Sequence, residues 1–416
     1  GNATYDLVNQ TAMDIASGEV RAAIVCGAES MRTRRRDRAS GKESQYLSEP
    51  ASAAPDFIVG ADVHLFDDAD IGANVFYPVN FYAMAESAIR HRRRESPEEH
   101  LGRISELWAR GSVVGAQNPH AWLAEVTSAE EIATPTQRNR MVAAPYTKLL
   151  TSNIDVDQGA AIVMCAYGVA REAGIADDQM VFLLSGSGAS DTLTIRCRQE
   201  LDRSPALRLA SERALALAAT TIEAVDHLDL YSCFPASVQL AQTELEIDPD
   251  REFTITGGLT FAGGPYNGYC TQAIAHATHL LRGTDEVAFL HGNGGYFSKH
   301  AVVVASGKPP HSPYRYERPQ GLVDAQPSRR LASTTPSSGA IEAYTVTYGR
   351  DSNPTGAILA VLDADGSRHW ALCGDYPTIE TLLKTDCVGR RVTLGPPDSE
   401  PTSASPHPAP LAHLHD

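Results

Sequence analysis

Between residues 180 and 306, short apolar runs alternate with segments of helical spacing. This alternation constrains the chain more than any other feature. Residues 181–184, 228–231, 287–290 and 301–305 read as strands, and 204–219, 235–245 and 270–282 as helices. A strand covered on both faces reads as a continuous apolar run. A helix lying on a sheet repeats its apolar residues every three to four positions. Elements that alternate in this way pack as layers, with helices on the faces of a sheet. The start of the chain uses the same grammar. Leu7, Val8, Thr11, Ala12 and Ile15 mark a helix over residues 2–19, which Ser17-Gly18 stops. Ala22-Ala23-Ile24-Val25-Cys26-Gly27-Ala28 reads as a buried strand, and Ala160-Ala161-Ile162-Val163-Met164-Cys165-Ala166 repeats the pattern. The expected fold class is therefore a layered α/β body.

The chain has 416 residues, and at about 150 residues per domain it holds two to three domains. The second grammar begins after residues 307–338, which are rich in Pro, Ser and Arg and read as a linker. Residues 339–395 carry strand-like runs at 341–348, 357–362, 369–373 and 391–394, a hairpin signal at Asp363-Ala364-Asp365-Gly366 and one helix at 378–384. They read as a small β-rich domain. Residues 396–416 are Pro-, Ser- and His-rich and are expected to be a disordered tail, with His407, His413 and His415 too loosely held to form a metal site.

Composition excludes several classes. The net charge of −16 repels phosphate backbones, so nucleic acid is not an expected partner. No window approaches the roughly 20 apolar residues of a membrane span. The seven cysteines are scattered and form no CxxC pair. No metal site is expected, and buried free thiols point to the cytoplasm. Only five residues are Lys, so the basic groups are mostly Arg.

Three local patterns, in order, resemble the thiolase superfamily. The first is the opening helix followed by Ile24-Val25-Cys26-Gly27-Ala28-Glu29-Ser30-Met31. It is similar to the thiolase segment from the nucleophile helix to a strand ending in Gly-x-Glu-x-Met. The second is Asn118-Pro119-His120-Ala121, then Pro145-Tyr146-Thr147 and Gly159-Ala160-Ala161, in the order of the sterol-carrier-protein type. The third is Gly257-Gly258, Gly263-Gly264-Pro265 and Gly292-Asn293-Gly294-Gly295. The β-rich domain resembles the additional C-terminal domain of the type 1 thiolase-like proteins, and is expected to be OB-like. The resemblance implies two similar halves, the first over residues 1–178 with a loop domain inserted at 34–155, the second over 179–306. The first half then lacks three strands and two helices, so roughly 70 to 100 residues are expected upstream.

Thioester condensation needs a nucleophilic thiolate, a base for the α-proton and donors for the oxyanion. Thiolases supply these as a Cys at a helix start, a His in Gly-His-Pro, a late Cys-x-Gly, and an Asn or His before an aromatic. On that pattern the nucleophile falls at or just before Gly1. The imidazole position is Gly264, the residue before the aromatic segment is Tyr231, and the late cysteine position is Leu290 or His291. The resemblance therefore implies an acetyl-CoA acetyltransferase-type protein of lipid metabolism, with degenerate or altered catalytic residues. The candidate catalytic residues are Cys233 and His291. Gly257, Gly258, Gly263, Gly264, Pro265, Asn293 and Gly294 are expected to face a coenzyme A thioester, the substrate or ligand, with no bound cofactor.

Two arginine clusters stand out: Arg32, Arg34, Arg35, Arg36 and Arg38, and Arg90, Arg92, Arg93 and Arg94. They read as solvated faces or as a grip on CoA phosphates, with Arg92 and Arg93 the candidates. The alternative function is a non-catalytic partner subunit that uses the fold as an assembly surface, as a homodimer or in a hetero-complex.

Overall fold

The computed structural model describes residues 1–45, 50, 52–332, 334–397 and 408–414. Its strands in chain order are β1 (Ala22–Ser30), β2 (Met141–Ala143), β3 (Tyr146–Thr147), β4 (Asp157–Cys165), β5 (Phe182–Ser190), β6 (His227–Asp229), β7 (Val287–Gly294), β8 (Lys299–Ser306), β9 (Arg315–Glu317), β10 (Ser338–Tyr348), β11 (Pro354–Leu362), β12 (Arg368–Cys373), β13 (Arg391–Gly395) and β14 (Leu411–Leu414).

The second half of the body is a five-stranded sheet in the order β6-β7-β8-β5-β9. β8 runs antiparallel to both β7 and β5, while β6 and β9 pair parallel at the two ends. Its core is the apolar run of β8, where Ala301, Val302, Val303, Val304 and Ala305 are all buried. The helix Pro205–Leu217 opens with Ser204, whose hydroxyl accepts the Leu207 N–H, and lies on β5 and β8. β9 lies inside the stretch expected to be a linker. It is too short to show a period, and only its parallel register with Ser185, Gly186 and Ser187 marks it as a strand.

β1 and β4 form an antiparallel pair in unbroken register from Ala22↔Cys165 to Ser30↔Asp157. The helix Gly268–Leu281 packs on this pair and on β7, and so joins the two sheets. The Arg32–Arg38 stretch is helical, within Met31–Ala39. The insertion contributes the helices Pro78–Arg93 and Pro97–Gln117. The second starts with a capping box, Ser96 with Glu99, and has Pro97 in its first turn.

The C-terminal strands close a barrel. β10 pairs with β11, β11 with β12, β12 with β14, β14 with β13, and β13 with β10. The β12–β14 contact is parallel and the others antiparallel, with the helix Tyr376–Lys384 between β12 and β13. A five-stranded barrel of this kind is OB-like. Its closing strand comes from residues 411–414, so the expectation of a wholly disordered tail is corrected. The tail segment is four residues long and follows Pro408 and Pro410; it pairs with β12 and β13, and its Ala412 and Leu414 join the barrel core. His413 sits in this strand opposite Thr393. His407 and His415 lie outside the described residues.

Alternate residues of the barrel serve two cores. Ala357, Leu359, Val361, Ala371 and Cys373 fill the barrel. Ile358, Ala360 and Trp370 point the other way, into the core shared with the helix Pro78–Arg93. The Trp370 indole donates to Asp70 at 2.6 Å. Fully buried Arg368 donates to the carbonyls of Ile195 and Arg198 and pairs with Glu342. OB folds commonly bind ligands on the face of their second and third strands, and here the body covers that face. Among the described residues, no helix is long and apolar enough to cross a membrane.

Ending the chain after Gly395 would remove β14 and open the edges of β12 and β13 that it pairs with. The shortened protein is expected to melt about 5 °C or more below the full chain. An unchanged midpoint in a thermal scan would show that β14 does not close the barrel.

Candidate functional site

The helix Asn2–Ser17 begins at Gly1, directly over β7. The close approach is set by glycine. A methyl group on Gly292 would press on Tyr5 at 2.9 Å and Cys270 at 3.3 Å, and one on Gly294 would overlap the Asn2 side chain. The same crowding surrounds Gly1. A β-carbon there would overlap the Tyr231 ring and the Asn293 carbonyl oxygen. The Tyr231 ring thus occupies the space in front of the helix start. It is buried and meets Tyr269 edge-on at 5.7 Å.

Two thiols flank this position. Cys270 donates to the Gly1 carbonyl at 3.0 Å. Burial pushes its thiol up to about 12. Cys233 lies between β6 and the helix Pro235–Glu244, with its carbonyl accepting both the amide and the hydroxyl of Ser152. Burial pushes its thiol up to about 11, and hydrogen bonding with Tyr82 and Ser237 offsets only part of that. Asn293 donates to the hydroxyls of Tyr82 and Ser237 at 3.1 and 3.2 Å, and Ser237 donates to the Tyr231 carbonyl at 2.6 Å. Both thiols therefore stay protonated at neutral pH, and the nucleophile is the thiolate.

Cys233 and His291 do not form a dyad. His291 Nε2 lies 3.0 Å from His300 Nδ1, and His291 Nδ1 has no hydrogen-bond partner among the described residues. His300 Nε2 lies 2.7 Å from the Phe297 carbonyl, which can only accept. His300 thus carries its proton on Nε2 and accepts at Nδ1, so His291 donates from Nε2. Burial, then the neighbouring His300, pushes the His291 imidazole down, and burial takes His300 down to about 3. The chain of contacts ends at Ser204, whose hydroxyl meets both His300 and Asp191. It joins β7 and β8 to the start of a helix.

Three amides of the glycine loop are bonded within the protein. Gly257 N–H donates to Thr254, Gly258 N–H to Thr256, and Gly264 N–H to the Asn153 carbonyl. Gly257 has φ +103° and a β-carbon there would overlap Gly115, so the loop packs backbone to backbone on the helix Pro97–Gln117. A side chain on Gly263 would overlap Gln158, and one on Gly264 would meet the carbonyls of Asn153 and Leu259 at 3.3 Å. Pro265 follows as the loop turns toward Gly268. Buried Asp229 anchors this loop through Tyr269, Thr254 and the Ile255 N–H. Burial raises its carboxyl to about 7 despite those bonds.

The two arginine candidates are paired. Arg92 forms a fork on Asp202 at 2.6 and 3.0 Å and reaches Glu200 at 3.1 Å. Arg93 bonds Glu95 at 2.8 Å. Among the described residues no group of three or more His, Cys, Asp or Glu could hold a metal ion. Sequence patterns offered no pointer to Tyr82, which arrives from the insertion and stacks on Phe234 at 4.6 Å.

Comparison with known proteins places this arrangement. Residues 319–398 match the model of the thiolase-like protein type 1 additional C-terminal domain. All of the chain superposes on 82% of the crystal structure of a monomeric SCP2-thiolase like protein type 1 from Mycobacterium smegmatis, with a TM-score of 0.82 and 27% identity. In fold and in its C-terminal domain the chain is similar to proteins of the thiolase superfamily. An acetyl-CoA acetyltransferase of Methanothermobacter thermautotrophicus is 26% identical over 216 residues, 46% of this chain. The chain spans 54% of that curated relative's length. The dimeric peroxisomal thiolase of Saccharomyces cerevisiae shares the fold over 74% of both chains, with a TM-score of 0.52 and 11% identity.

Near Tyr82 lies a buried ionic chain. Glu86 accepts from Tyr146, Gln239 and His100, and His100 also bonds Glu95, which Arg103 holds as a fork. Burial lowers the His100 imidazole, but Glu86 and Glu95 outweigh it and leave it raised. A raised folded value stabilises below the unfolded value of about 6.5 and is lost as pH climbs through the folded one. Stability is expected to fall as the pH rises above about 6.5, and His100→Gln is expected to flatten that decline in thermal scans. Replacing Glu86 by Ala is expected to cost about 3 kcal/mol in denaturant unfolding, since it leaves buried His100 Nε2 and the Gln239 amide without their acceptor.

The raised thiols yield a second expectation. Iodoacetamide at neutral pH should label exposed Cys26 and leave Cys233 and Cys270 unmodified in the folded chain. Peptide mapping that finds Cys233 modified first would contradict the protonated assignment.

Proposed function

We propose that this chain is an acyl-CoA protein of the thiolase superfamily that does not carry out thiolysis or condensation. The observation that carries this reading is Gly264 at the position of the thiolase imidazole, packed so that a side chain there would meet the Asn153 and Leu259 carbonyls at 3.3 Å. The protonated Cys233 and Cys270 thiols and His291 bound to His300 support it further. Support for a CoA thioester comes from kinship with a protein named acetyl-CoA acetyltransferase. All seven cysteines are unpaired, which suits the reducing cytoplasm.

A second reading is favoured by the ion pairs of Arg92 and Arg93. A side chain held by a carboxylate fork must leave it before gripping a phosphate. Without such a grip, the fold serves as a non-catalytic subunit within a larger assembly.

Acetoacetyl-CoA thiolysis and calorimetric titration with acetyl-CoA separate the readings. The expected result is a saturable heat of binding with no thiolysis above the uncatalysed rate. Turnover of about 1 s⁻¹ or more would overturn the silent-site reading. An absence of heat would remove the CoA ligand and leave the assembly subunit.

A further inference from the structure

The helix Met31–Ala39 has no buried residue. It carries five arginines against one aspartate, in a chain whose net charge is −16. Its first turn ties it to β4: Thr33 donates its amide and hydroxyl to Asp157 at 3.0 and 2.8 Å. Arg32 lies over the Trp122 ring at 5.4 Å, and Arg35 pairs with Asp155 at 3.1 Å. Asp37, the one acid on the helix, accepts from Ser44 at 2.9 Å.

Such a helix works against itself. Arg32 and Arg36, and Arg34 and Arg38, are like charges four residues apart, and Arg32 and Arg35, and Arg35 and Arg38, three apart. Each such pair destabilises a helix by about 0.2–0.5 kcal/mol. Arg36 and Arg38 suit the C-terminal dipole, but no packed apolar face offsets the repulsion. An opposite charge from outside would remove it.

We infer that the helix Met31–Ala39 is a docking surface for an acidic polypeptide segment. At 1.5 Å per residue the basic patch is about 14 Å long. A long nucleic acid bound there would run onto the acidic remainder of the chain. A short helix with Asp or Glu every three to four residues matches both the length and the spacing. Arg36 and Arg38, both exposed, lead the recognition, and Trp122 borders it.

The test uses the whole chain and a fluorescein-labelled oligo-glutamate peptide, read by anisotropy. Binding is expected at low salt and should weaken about tenfold or more between about 50 and 200 mM salt, as exposed charge pairs are screened. The double variant Arg36→Glu, Arg38→Glu should lose binding about tenfold or more and keep the wild-type thermal midpoint. Arg92→Ala should bind like wild type. No binding at low salt, or equal binding by the double variant, would overturn the proposal. Tighter binding of a single-stranded oligonucleotide of equal charge would overturn it in favour of nucleic acid. Salt-sensitive self-association that the double variant abolishes, seen by sedimentation, would overturn it in favour of a second copy.

Discussion

The body depends on how closely one helix lies on one sheet. Asn2–Ser17 crosses β5, β8 and β7, and four glycines receive it. Gly186 and Gly188 on β5, and Gly292 and Gly294 on β7, face the helix. A side chain at 186 would overlap Asn9, and at 188 it would crowd the Asp6 carboxylate at 3.1 Å. Buried Asn9 uses the contact, donating to the Val302 carbonyl and accepting from Tyr314. Interiors are packed too densely to absorb an added methyl without displacement. This groove brings Gly1 against Tyr231.

A second constraint fastens the barrel to the body. Arg368 is fully buried, yet each direction of its guanidinium is met, by backbone carbonyls of residues 195–199 and by Glu342. Removing one partner of such a pair leaves a buried charge uncompensated. With Trp370 on Asp70 and the Tyr344 amide on Ser87, it ties β10 and β12 to the insertion and to residues 195–199. The C-terminal unit is therefore part of the same packed structure as the thiolase body.

Much of this is legible in the residues. The alternation after residue 180 foretells the layered sheet, and the order of the glycine motifs points to the superfamily. The role of the glycines is another matter. Their pattern places Gly257, Gly258 and Gly264 against a ligand, but their N–H groups bond to Thr254, Thr256 and Asn153. The side chains missing at 257 and 258 make room for Gly115 and Ser232. Pattern shows where a chain needs glycine and not which neighbour requires it. β14 and β9 escape notice because strands of three or four residues carry no measurable period.

By itself the sequence determined most element types of the body, the change of grammar near residue 338, and the identities of Gly264 and Tyr231, which depart from the thiolase pattern that the chain resembles. These are local properties, set by spacing and residue type. The tertiary structure alone decided that Tyr231 fills the helix start, that His291 faces His300 instead of Cys233, and that Arg92 is held by Asp202. Each of these depends on which distant groups meet in the fold. Protonation state and hydrogen-bond partner follow from burial and neighbours, and neither is written in the order of the residues.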